Sequence, residues 1–96
     1  MSEAVAAAVA ALNERLGGGG IEGTVRIVIE DEGSLIVDEA GVRAGDGEAE
    51  CTLTASADTF GDMLGGALDP TSAFMGGRLT IDGDMGLAMR LASLLA

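Results

Sequence analysis

Ninety-six residues, 48% of them hydrophobic, suffice for one small core and are too apolar for a disordered chain. Sixteen acids against five basic residues, with no His, set the formal charge at −11. Such a charge repels phosphate backbones and anionic head groups, which excludes nucleic acid as a partner and electrostatic docking on anionic membranes.

The spacing predicts an amphipathic helix over residues 2–16. Ser2 can cap it, and Glu3 suits the positive end of its dipole. Val5, Val9, Leu12 and Leu16 share one face, with Ala filling the turns between them. Glu3 and the absence of a basic stretch argue against a secretory leader, and no apolar run approaches the length of a membrane span. The four glycines at 17–20 end the helix.

Strands follow. Over residues 24–30, Val25, Ile27 and Ile29 alternate with Thr24, Arg26, Val28 and Glu30. Residues 34–38 form a second strand, paired back on the first as a hairpin, and 42–44 a short third one. Residues 49–55 form a fourth, with Cys51, Leu53 and Ala55 facing the core and Thr52 and Thr54 facing water. Cys51 is the sole cysteine, so no internal disulfide points to an oxidising compartment and the expected location is cytoplasmic. With no His to activate it, this mid-strand thiol reads as inert.

Ser56 caps a helix running to about residue 64 that buries Phe60, Met63 and Leu64. Asp69 caps a shorter one, with Pro70 at its first position. A strand over 78–82 points Leu79 and Ile81 one way, and Asp84 caps a last helix over 85–95. The order α-β-β-β-β-α-α-β-α predicts an α+β fold. A five-stranded, mostly antiparallel sheet carries all the helices on its single apolar face. One domain covers residues 1–96.

Chemistry is sparse. Without His, Lys or Tyr, the usual general bases and Schiff-base nucleophiles are missing. The pairs Asp31–Glu32 and Asp82–Asp84 are better read as turns and caps, and the second lacks the rest of a calcium loop. Gly18, Gly20 and Gly23 match G-x-G-x-x-G but follow a helix and precede a strand, the reverse of the dinucleotide-binding context. No catalytic residue, cofactor or metal is expected.

The last helix is too apolar for a sheet face. Gly86, Arg90 and Ser93 form one thin seam, and every other position is Met, Leu or Ala. The surplus must meet other helices, a partner chain or an apolar guest.

Residues 51–95 resemble the sterol carrier protein-2 (SCP-2) lipid-binding domain family. Three stretches carry the likeness: LTASADTFGDMLGG at 53–66, DPTSAFMGG at 69–77 and RLTIDGDMGLAMRLASLL at 78–95. The resemblance implies a non-catalytic carrier that holds a fatty acid, phospholipid or sterol-like lipid in an apolar tunnel between the layers. It implies a lining from Phe74, Met75, Leu79, Ile81, Met85, Ala88, Met89 and Leu91, extended by Ala92 and Leu95, with Phe60, Met63 and Leu64 as another wall. The expected partner is an apolar lipid, with no integral membrane association. A weak homodimer or a lipid-metabolising enzyme stays open as a protein partner. The alternative reading is an interaction or dimerisation module built on the last helix.

Overall fold

The computed structural model describes residues 2–95, and the side chain of Leu95 lies outside the described residues. The elements run α1 (Glu3–Arg15), β1 (Val25–Ile29), β2 (Gly33–Asp38), β3 (Gly41–Ala44), β4 (Cys51–Ala55), α2 (Ala57–Leu64), α3 (Pro70–Met75), β5 (Thr80–Gly83) and α4 (Met85–Leu95). The five strands form one sheet in the order β3-β2-β1-β4-β5. Three of the four pairings are antiparallel; β1 and β4 run parallel.

The β1–β2 hairpin turns at Asp31, whose φ of 65° lies in the left-handed region that Asp tolerates. β2 then turns back into β3. The chain next crosses to the far side of β1, where β4 joins the sheet. This crossover makes the parallel pair. β5, after two helices, simply pairs antiparallel with β4. Gly83 closes that pairing with φ of 100°, and a Cβ there would collide with the carbonyl oxygen of Glu50.

The crossover sets the register. Ile27 lies opposite Leu35 on one side and Leu53 on the other, and Leu53 lies opposite Ile81. One apolar row therefore runs across four strands on the inner face. Val25, Ile29, Val37, Cys51 and Ala55 extend that face, and all are buried. Helix α1 packs over β2 and β3 and touches α2 and α4; α4 lies over β4 and β5.

On the outer face Arg26, Ile36 and Arg43 stand side by side. Ile36 is buried there without a helix above it. Long arginine stems cover apolar surface while their charged ends stay in water. Those ends are paired: Arg43 grips Asp38 with two bonds of 3.0 and 2.8 Å, and Arg26 lies 3.3 Å from Asp46. The Arg43 guanidinium beside Asp38 holds that carboxyl below its ordinary value.

Candidate functional site

Each helix that borders the inner face begins with a side-chain cap. Ser2 Oγ accepts from the Val5 amide (3.1 Å), Ser56 Oγ from Thr59 (3.2 Å), Asp69 Oδ2 from Ser72 (3.1 Å) and Asp84 Oδ1 from Leu87 (3.1 Å). These caps satisfy amides that have no partner within the helix and set where each apolar stripe begins. At its other end α1 is tied to α2 by Arg15, which donates to the Leu64 carbonyl.

Between the layers the helices leave an apolar cavity of about 30 Å³. Its floor is the inner row Ile27, Leu53 and Ile81, joined by Leu79 just before β5. Ala8 and Leu12 of α1, Phe60, Met63 and Leu64 of α2, and Pro70 at the start of α3 form the walls. Ala88, Met89 and Ala92 of α4 close it. Among the described residues none that lines it carries an ionisable side chain, so those residues would not hold a water, which needs two to four polar partners. The void is small, and at ~24 cal/mol per Å³ it costs the fold under about 1 kcal/mol.

Eight residues that the sequence assigned to a tunnel lie on this wall: Phe60, Met63, Leu64, Leu79, Ile81, Ala88, Met89 and Ala92. Four others lie elsewhere. Leu91 is fully buried in the general core and does not line the cavity. Phe74 and Met75 at the end of α3 are 37% and 81% exposed, and Met85 is 43% exposed. Helix α3 is so short that it buries only Ala73, so Phe74 and Met75 project outward. The Leu95 side chain is outside the described residues.

Five lining residues were not singled out from the sequence: Ala8, Leu12, Ile27, Leu53 and Pro70. Three of them, Leu12, Ile27 and Leu53, belong to apolar patterns that read as ordinary core. In α1 the buried stripe is Val5, Ala8 and Leu12, with Val9 and Leu16 half-buried beside it. Ala8 was hidden because six of the thirteen residues of that helix are Ala.

Cys51 is buried and does not line the cavity. Burial pushes its thiol above the ordinary value, and Asp84 and Asp82 push it further. Less thiolate then exists at any given pH, and the sulfur is shielded. Iodoacetamide at pH 8 is expected to alkylate native Cys51 at least about tenfold more slowly than the unfolded chain. Equal rates in buffer and in urea would refute the buried placement. Among the described residues, no group of three or more Cys, Asp or Glu lies where it could hold a metal ion. No helix among them is long and apolar enough to cross a membrane.

A protein-family model described as the SCP-2 sterol transfer family matches residues 5–96. Among curated proteins, the chain is 47% identical over 57 residues to hydroxysteroid dehydrogenase-like protein 2 of Danio rerio, covering 55% of this chain and 14% of that protein. It is 38% identical over 79 residues to sterol carrier protein 2 of Rattus norvegicus, covering 81% of this chain and 13% of that one. The chain thus spans about one seventh of the curated relatives it matches. Among solved structures, sterol carrier protein-2 of Aedes aegypti in complex with palmitate superposes with a TM-score of 0.79. That match is 22% identical and covers 100% of this chain and 97% of the other.

Proposed function

This chain belongs to the SCP-2 sterol transfer family, and from that premise we propose that it is a non-catalytic lipid carrier whose guest is a single acyl chain. Family membership supports lipid binding or transfer in general. The observation that favours an acyl chain, and this site, is the wholly apolar cavity between sheet and helices. Its narrow lining of Leu, Ile, Met and Ala, with only one aromatic residue, Phe60, suits a flexible methylene chain better than a rigid ring system. The palmitate-bound Aedes aegypti relative supports the same class of guest.

The cavity is small. Ligand sites ordinarily enclose about 300–1,000 Å³, roughly ten times this volume or more. Loading therefore requires the helices to move off the sheet, and the guest fills the space they vacate. Each buried methylene contributes about 0.8 kcal/mol, so a long chain can offset the cost of opening with few polar contacts.

Mass spectrometry of the native protein, together with displacement of a fluorescent fatty acid by palmitate, tests this reading. We expect one palmitate per chain with micromolar affinity. Saturating palmitate should also raise the melting temperature, since a ligand at about 100 times its Kd adds about 2.7 kcal/mol. No bound lipid and no displacement at micromolar protein would overturn the carrier function.

A further inference from the structure

The charge of this chain is not evenly spread. Fourteen of the sixteen acids and three of the five arginines lie in residues 1–69. Residues 70–96 carry two arginines, Arg78 and Arg90, against Asp82 and Asp84, and are neutral. The whole formal charge of −11 therefore falls on the first 69 residues. Within α3 and α4 there is no acid at all.

The same two helices carry the large apolar side chains that stay in water. Phe74 and Met75 are exposed on α3, and Met85, Met89 and Leu94 on α4, where a spacing of four places Met85 and Met89 on one flank, apart from Leu94. Both helices border the cavity, α3 through Pro70 and α4 through Met89, which is at once a lining residue and 38% exposed. The exposed apolar flank and the cavity wall are thus continuous at Met89.

We propose that this α3–α4 lip is the surface by which the protein rests on a neutral, zwitterionic bilayer. A second copy fits it poorly. Four side chains fall far short of the roughly 20–30 residues a side of a stable interface, and pairing would bring two bodies of charge −11 together. An anionic bilayer is opposed by the same charge. A zwitterionic surface has no net charge to repel the acidic body, and it accepts Met and Phe side chains at its apolar boundary. The lip then touches the membrane where the cavity wall reaches the surface.

The chain has no Trp, so a single introduced one reports without background. We would place it at Met75 (M75W) and, as the control, at Thr52 (T52W) on the outer face of the sheet. Each variant is mixed with phosphatidylcholine vesicles containing brominated acyl chains. The docking geometry requires blue-shifted, strongly quenched emission from the M75W variant and neither change from T52W. Equal quenching at both sites, or none at position 75, overturns it. So does a blue shift in M75W that grows with protein concentration without vesicles, which would assign the lip to a second copy.

A second variant separates docking from binding. Thr71 is exposed on α3, and Ser93 is exposed one turn beyond Met89, whose carbonyl it hydrogen-bonds at 3.1 Å. Neither lines the cavity. The double variant Thr71→Glu, Ser93→Glu places charge on the lip. It is expected to lower vesicle partitioning about tenfold, because a carboxylate resists leaving water, while palmitate binding in vesicle-free solution stays unchanged. Unchanged partitioning would refute the lip. Loss of palmitate binding in the unaltered protein with intact vesicle quenching would sink the carrier function and leave docking in place.

Discussion

Met89→Asp is expected to weaken fatty-acid binding about a hundredfold, and Thr54→Asp less than about twofold. Met89 is part of the α4 wall of the cavity, between Ala88 and Ala92. A carboxylate there has no cationic lining residue to pair with. An acyl chain entering the cavity must either force it to protonate or strip its water, at a cost of several kcal/mol for a fully enclosed group. Since Met89 is 38% exposed, the new carboxylate can turn partly outward, and roughly 2–3 kcal/mol is the appropriate share. Thr54 is paired with Val28 and Thr80 on the outer face and does not line the cavity. Met85→Asp should fall between the two, because Met85 lies one turn before Met89 on the same flank but not on the cavity wall. Displacement titrations of a fluorescent fatty acid measure all three. Comparable losses for Met89→Asp and Thr54→Asp would mean that the lipid sits elsewhere.

Leu91→Ala should destabilise the fold by about 2–5 kcal/mol, whereas Leu94→Ala, three residues later, should cost under about 0.5 kcal/mol. Both remove the same three carbons from the same helix. Leu91 is 0% exposed and Leu94 is 45% exposed. Deleting Leu91 loses its full transfer energy and leaves a hole beneath α4 that the sheet cannot collapse to fill. Against a total stability of about 5–15 kcal/mol, that is a large fraction. In urea, with a slope of about 1–3 kcal/mol per molar, the midpoint should fall by roughly 1–2 M or more for Leu91→Ala and barely move for Leu94→Ala. Similar shifts for the two would show that α4 is not anchored through Leu91.

How much of this could be read from the residues differs from element to element. The strand alternations named the inner face correctly because a pleated strand sends side chains to opposite sides with a period of two, whatever it pairs with. The caps Ser2, Ser56, Asp69 and Asp84 were visible for a similarly local reason, since a cap bonds an amide within its own first turn. The surplus of apolar surface on α4 was equally plain from Met85 to Leu94. Ile36 was not foreseen as buried, because the arginines that cover it come from two other strands.

The residues alone therefore determined the element order, the α+β class, the absence of the usual general bases, and the excess of grease at the C-terminal end. They did so because these are local or compositional properties. Only the tertiary structure decided which of those apolar residues meet at one cavity. Periodicity says that a side chain faces inward, not what it faces. Insertion of β4 beside β1 brought Ile27 next to Leu53, and the docking of α1 against α4 added Ala8 and Leu12. The rotation of α4 about its own axis then turned Leu91 into the core, Met89 toward the cavity and Met85 toward solvent, a choice made by the sheet and helices that it packs against rather than by its own pattern.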